Sequence, residues 1–495
     1  MSEQVSSDRT TVPETSSGPR AAEGNGHPGI TLALIATAYL MVGLDATVVN
    51  IALPKMQNDL GFSDVSLSWV VNAYTLAFGG LLLLGGRAGD IFGRRRVLIV
   101  GTTLFTVASL LGGFANSPGL LLAARIGQGV GAAMLSPSTL ALIATNFEEG
   151  KPRNRALAVY SATAGAGSSV GLILGGVLTD WVSWRAVMFV NVPLGLAVIL
   201  LAPRFIREPE RHPARIDIIG TVTGTAGTVA LVYAFIRVPS DGWSDGGTLS
   251  LFAVAVLLLV AFVIVETRVE QPNMPLRLFA SRNRSGAYLN ILLLTATMLA
   301  LFFFLSQFVQ EVLHLNPAKA GLAFLPMTVA MFATVSQVPK LLPRFGGKRL
   351  MMVGAGLMTI TMVWLTQVDV DSTYLTAVFG PLLVFGIGMG LSFMPLNVTI
   401  LTGVARADSG SASGVLQTLM QLGGALGLAI LVTVFGTSAK DAARHPIGAT
   451  AQDKAEYAFT QGLQSAFAVG VVFVALALVV SIFVFRPPTA PSKTG

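Results

Sequence analysis

Cysteine is absent from all 495 residues, so no disulfide, thiolate nucleophile or cysteine metal site can form. Histidine is scarce: His27, His212, His314 and His445 all fall in tails or loops, which argues against a buried metal centre. Charge is thin as well. Asp, Glu, Lys and Arg make up 12% of the chain, far below an ordinary soluble domain. No Gly-x-x-x-x-Gly-Lys-[Ser/Thr] sequence occurs, so a nucleotide-driven pump has no phosphate loop. Ser161, Ser168 and Ser169 have no His or Lys within the apolar runs to activate them, so a membrane-embedded enzyme lacks its nucleophile–base pair.

What the chain has instead is apolar length. Hydrophobic residues account for 53% of it. They come in runs of about 18–28 residues, long enough to cross a hydrocarbon core of about 30 Å. The reading is an all-α polytopic membrane protein with 14 transmembrane helices. The expected spans are 30–53, 66–86, 97–115, 119–145, 156–179, 185–203, 216–237, 248–267, 285–311, 318–343, 349–368, 373–401, 411–437 and 464–486. Residues 1–28 are rich in Ser, Gly, Pro, Thr and Glu and read as a disordered cytoplasmic tail, not a cleaved signal. Residues 487–495 read as a second cytoplasmic tail.

Basic residues set the topology. With both termini cytoplasmic, most Lys and Arg fall on the inner side, while acidic residues divide almost evenly. The strongest inner clusters are Arg94 to Arg96, Lys151 to Arg155, Arg204 to Arg215, Arg277 to Arg284 and Lys340 to Arg349. Trp69, Trp181, Trp184, Trp243 and Trp364 then all sit at outer ends or outer loops, as in an aromatic belt. The net positive charge of +7 therefore reflects membrane topology, not nucleic-acid binding.

The spans form two six-helix blocks, 29–203 and 285–486. Residues 204–284 carry linkers and an inserted helix pair at about 216–237 and 248–267. After the second span of each block comes an aromatic, a glycine and a basic cluster: Phe92, Gly93 and Arg94 to Arg96, then Phe345, Gly346 and Lys348 with Arg349. Parallel repeats around a central cavity are a common build of secondary transporters. Glu266 ends the eighth span and reads as interfacial.

Two ionisable residues lie well inside spans. A charge at bilayer depth costs roughly 3 kcal/mol on insertion scales, so each needs a reason. Asp45 is eight residues from Leu53, hence about 12 Å deep, and Arg125 is six from Gly119, hence about 9 Å deep. The two spans run in opposite directions, yet both charges land in the outer half. An ion pair, direct or through water or Gln128, follows, in which each charge lowers the cost of burying the other. Hydrating or separating it would change proton affinity, which could couple conformation to protonation. A permanent structural salt bridge is the alternative.

Four motifs stand in order on the right spans. Leu44-Asp45-x-Thr47-Val48-Val49-Asn50-x-Ala52-Leu53-Pro54 resembles the first-span signature of the fourteen-span drug:proton antiporters of the major facilitator superfamily. Gly86-x-x-x-Asp90-x-x-Gly93-Arg94-x-Arg96 resembles the superfamily's loop signature. Arg125-x-x-Gln128-Gly129-x-Gly131 is similar to its fourth-span signature, and Trp184-Arg185-x-x-Met188-Phe189-x-Asn191-x-Pro193-x-Gly195 to the sixth-span segment of this subgroup. A fifth, Gly167 to Gly176, resembles the antiporter motif of span five, with Leu172 where that motif has proline. Gly167, Gly171 and Gly175, with Gly176 beside them, would let helices approach closely.

The resemblance implies roles. Asp45, Arg125 and Gln128 would couple protons. Gly86, Asp90, Gly93, Arg94 and Arg96 would gate the conformational change, Gly86 and Gly93 by removing bulk where helices meet. Asp90 would face the start of span thirteen near Ser409 to Ser413. Arg95 reads as a topology determinant only. By the family's plan the cavity would include Asn50, Phe302, Phe303, Gln307, Met394 and Asn397, with Gln417 and Gln421 facing either substrate or a neighbouring helix. Aromatics and Met with few fixed polar groups suit bulky amphipathic molecules. The expected function is drug or antibiotic export by alternating access in the plasma membrane. It would be driven by the proton motive force without a cofactor, by a chain acting as a monomer. An uptake symporter for a small nutrient is the alternative.

Overall fold

The computed structural model describes residues 27–485, apart from 64, 149–150, 209–216, 270–271, 273, 275, 403, 405–408 and 446. Among the described residues the chain is helical throughout. The first part holds α1 (Pro28–Leu60), α2 (Ser68–Phe92), α3 (Arg94–Gly113), α4 (Pro118–Asn146), α5 (Lys151–Trp181), α6 (Trp184–Phe189) and α7 (Asn191–Phe205). Then come α8 (Ile218–Asp241) and α9 (Gly246–Arg268). The last part holds α10 (Arg282–Glu311), α11 (Pro317–Ala323), α12 (Leu325–Leu365), α13 (Gly380–Leu401), α14 (Ser409–Arg444) and α15 (Ala451–Phe483).

Eleven helical stretches among the described residues are long and apolar enough to cross a membrane. Two expected spans appear as a single helix, α12, which turns at Gly346 with φ +76°. The sixth is broken in two between Phe189 and Asn191. Start signals explain the boundaries. Ser117 accepts the Leu120 N–H, Asp217 the Gly220 N–H, Asp245 the Thr248 N–H and Asn316 the Lys319 N–H. Thr450 and Asp453 exchange a reciprocal cap at the start of α15.

Two ends of the bundle are conveniently named by the turns that lie there, the Gly61 end and the Gly93 end. In the first part α4 packs on α2 and α3, and α5 and α7 pack on α1. In the last part α12 packs on α13 and α15, and α10 and α15 pack on α14. The two parts meet at the Gly61 end. Ser306 Oγ donates to the Asn50 carbonyl at 3.2 Å, and Gln310 Nε2 to the Ile51 carbonyl at 3.1 Å. Beside them α5 lies on α11, where a Cβ on Gly176 would collide with the Pro317 carbonyl and one on Gly321 with the Leu172 carbonyl. Leu172 is buried at this junction.

Toward the Gly93 end the same face of α1 comes free. Tyr39, Gly43, Ala46 and Asn50 are spaced four, three and four residues apart and share one face. Asn50 is 1% exposed beneath α10. Ala46, one turn away, is exposed, and Gly43 and Tyr39 are partly exposed. The other faces of α1 are taken by α4, α5 and α7. A gap between the two parts therefore opens toward the Gly93 end.

Helix α8 lies across the seam between the parts. Thr225 Oγ1 donates to the Gly80 carbonyl of α2 at 3.0 Å. From α14, Thr433 Oγ1 donates to the Phe235 carbonyl at 2.6 Å, and Lys440 Nζ to the Pro239 carbonyl. Helix α9 packs on α8 and presents Leu249, Val256, Leu257 and Val260 outward. Glu266 departs from its interfacial reading. It is 3% exposed, and its Oε2 accepts the Met274 N–H at 2.9 Å.

Candidate functional site

Asp45 sits on α1 where close packing against α5 holds the backbone. A Cβ on Gly175 would stand 2.5 Å from the Val48 carbonyl, one on Gly171 would collide with Thr47 Oγ1, and one on Gly167 would lie 3.3 Å from Leu40 Cδ1. The carboxylate is 0% exposed. Arg125 Nη1 donates to its Oδ2 at 2.5 Å. Gln128 Nε2 donates to Oδ1 at 2.8 Å, and Asn191 Nδ2 to the same oxygen at 3.0 Å. Residues from three helices, α4, α7 and α1 itself, thus build one sealed cluster.

Arg125 is 1% exposed, with Nε and Nη1 both engaged. Its Nε donates to the Val70 carbonyl at 2.8 Å, and Nη1 also reaches Gln128 Oε1 at 2.8 Å. The Tyr74 ring lies under the guanidinium, 4.5 Å from Cζ. Gln128 Nε2 reaches Ser109 Oγ at 2.8 Å as well. Hydrogen bonds to both carboxylate oxygens and from the guanidinium offset the cost of keeping an ion pair this dry. Losing either charge while the site stays dry leaves the other buried and uncompensated.

The sequence reading brought Asp45, Arg125 and Gln128 together by depth and by motif. It missed Asn191 as a direct partner, although the quoted sixth-span motif contains it. Asn191 opens α7 just after the break, and its amide reaches Asp45 from there.

The loop motif is arranged differently from its expected form. Gly86 is not a point of close approach, since a Cβ there would meet only the Pro137 side chain, no nearer than 3.8 Å. Gly85 has that role, with the Ala133 carbonyl carbon 2.6 Å from a Cβ position. Gly93 ends α2 with φ +102°, a conformation that favours glycine. The start of α3 is capped by Glu208, whose carboxylate accepts the Arg95 N–H at 3.0 Å and the Arg96 N–H at 3.2 Å. Arg95 does more than mark topology, for its Nη1 donates to the Pro203 and Ile206 carbonyls. Arg94 lies over Gly89, and the Arg96 side chain is exposed. The Asp90 side chain and residues 405–408 lie outside the described residues, and so does the contact expected between Asp90 and the start of α14.

The expected cavity residues divide in two. Asn50, Phe302, Phe303 and Gln307 are all buried, at 1%, 8%, 1% and 5% exposure. The reason is that α10 is enclosed on nearly every side. Phe302 stacks on Phe324, and Phe303 stands edge-on to Phe304, which in turn packs on Phe435 and Phe467. In this state these rings are core. Met394, Asn397, Gln417 and Gln421 are partly exposed, and Gln421 packs against Gly79 of α2. Arg284, counted with the basic inner cluster, is buried and donates to the Leu278, Ile400 and Thr402 carbonyls. Among the described residues no cluster of His, Cys, Asp and Glu could hold a metal ion.

Many apolar helices, two parts joined at one end and parted at the other, and a dry ion pair inside the first of them, between α1 and α4, define a multi-pass membrane transporter. The chain belongs to the Major Facilitator Superfamily, whose profile matches residues 35–428. It is therefore a transporter and not an enzyme. It is 43% identical over 455 residues, 90% of each chain, to the puromycin resistance protein of Streptomyces alboniger. It is 42% identical over 411 residues, 82% of this chain and 85% of the other, to a cephamycin export protein of Amycolatopsis lactamdurans. Among solved structures, a bacterial homolog of the human lysosomal transporter Spinster, inward-facing and unoccupied, has the same fold. The TM-score is 0.64 at 16% identity, covering 95% of this chain and 100% of that one.

Proposed function

We propose that this chain exports bulky, amphipathic, antibiotic-like molecules across the plasma membrane in exchange for protons. The names of its relatives support export and resistance as the role. The observation that carries proton exchange is Asp45, wholly buried and held by Arg125, Gln128 and Asn191.

In this reading the helices form fourteen spans with α8 and α9 as an inserted pair, and both termini are cytoplasmic. The Gly93 end then faces the cytoplasm, with Arg94 to Arg96, Arg204, Arg207, Lys348 and Arg349 near it. The gap beside Ala46 is open inward, and the junction of α1 with α10 and of α5 with α11 is the closed outer gate. Cargo enters from the cytoplasm while Asp45 is ionised and paired. Opening of the outer gate admits water to the cluster. Asp45 takes up a proton, its hold on Arg125 weakens, and cargo leaves outward. Return to the inward state releases the proton. The membrane potential adds about 2.3 kcal/mol per charge per 100 mV to any step that moves net charge.

The test is drug flux in proteoliposomes under an imposed pH gradient, wild type against Asp45→Asn. The expected outcome is that the variant still exchanges drug down its own gradient but gains nothing from the pH gradient. Full gradient-driven transport by Asp45→Asn would remove this carboxylate from the coupling.

A further inference from the structure

We propose that Tyr39 and Tyr160 form an aromatic binding site for the cargo, selective for molecules with a planar aromatic ring. Tyr39 is on α1 and Tyr160 on α5, and their rings stack with centroids 4.2 Å apart and planes 22° apart. Thr139 Oγ1 of α4 lies 3.4 Å from Tyr160 Oη. Three helices therefore fix the orientation of both rings before any ligand arrives, which lowers the ordering cost of binding.

The pair lies where a cargo can reach it. Both residues are partly exposed. For Tyr39 the exposed surface belongs to the face of α1 that continues through Gly43 and Ala46 into the gap and is sealed at Asn50. The aromatic cluster of the other half, Phe302 to Phe304, is buried in the core and offers no ring to the gap in this state. Tyr39 is six residues from Asp45, about 9 Å along the axis. A ring seated here lies on the same helix as the carboxylate and on its cytoplasmic side, next to the route by which the site opens. Stacked rings with a hydroxyl rim favour a flat conjugated ligand, and more so one that carries a positive charge.

The proposal rests on the export reading for the direction of travel, so the decisive measurement is binding without any gradient. Purified full-length protein is titrated with ethidium, a planar aromatic cation, and with dodecyltrimethylammonium, a cation of similar charge without a ring. Tyr39→Leu and Tyr160→Leu should each weaken ethidium binding about tenfold, equal to about 1.4 kcal/mol, from the lost stacking. Tyr39→Phe should stay within about threefold, since the ring remains. Binding of dodecyltrimethylammonium should be unchanged in every variant, which also reports that each is folded. In flux assays Tyr39→Leu should raise KM for ethidium and leave the maximal rate alone. Absence of saturable ethidium binding by wild type overturns the proposal, as does unaltered ethidium affinity in both Leu variants or equal loss for both cations. Intact binding without pH-driven flux would overturn the exchange reading and leave this site standing.

Discussion

Neutralising one member of the buried ion pair should cost far more than neutralising both. In Asp45→Asn the guanidinium of Arg125, 1% exposed, keeps the Val70 carbonyl at 2.8 Å, Gln128 Oε1 at 2.8 Å and the Tyr74 ring, but has no counter-charge. In Arg125→Met the carboxylate keeps only the amide donors of Gln128 and Asn191, at 2.8 and 3.0 Å. Breaking a buried pair from one side costs about 3–5 kcal/mol. The double variant buries no charge and fills most of the same volume, so it should lie within about 2 kcal/mol of wild type. The coupling energy is then at least about 4 kcal/mol. The assay is reversible unfolding of the full chain in mixed micelles of increasing denaturing-detergent content, run on the four proteins of the cycle. Costs of the single variants that add to within about 0.5 kcal/mol would refute the reasoning, because additivity means that the two charges do not hold each other.

Gly85→Ala should destabilise by about 1–3 kcal/mol through collision with the Ala133 backbone, and Gly86→Ala by less than about 0.5, read as the difference in thermal melting of two neighbouring variants. Asn72 of α2 is 0% exposed and neither amide atom has a partner, so Asn72→Leu should stabilise this state by about 1–3 kcal/mol. The expected signs are a higher melting temperature and slower turnover, and a lower melting temperature would count against it. The Thr450 N–H beside the Asp453 carboxylate holds it below the usual value of 3.8. A depressed folded-state value means that this cap is intact above 3.8 and is lost as pH falls through the depressed value. Amide exchange at the start of α15 should therefore quicken at acid pH, and Asp453→Asn should abolish that step.

How far the sequence could be read depended on whether a residue carries a cost that shows without neighbours. Asp45 and Arg125 are charges in hydrocarbon, so their depths alone were enough to pair them. Asn191 carries no charge, and nothing in its own span says which way a helix break will turn its amide. The helices followed from apolar length, but the sharp turn at Gly346 and the break before Asn191 are local events inside long runs. Small residues were legible as a class and not individually: Gly171 and Gly175 meet α1, while of two adjacent glycines Gly85 and not Gly86 takes the close contact. The phenylalanines of α10 look the same whether they line a cavity or fill a core, because ring and spacing are common to both. Only the enclosure of α10 decides between them.

Helix α8 is bonded at once to α2 and to α14, which belong to opposite halves of the molecule. If those halves rock past each other, α8 cannot follow both. Either the Thr225 tie or the ties from Thr433 and Lys440 must let go at each swing. The added pair would then behave as a sliding gasket along the seam, keeping lipid tails out of the widening crack while limiting how far it can widen.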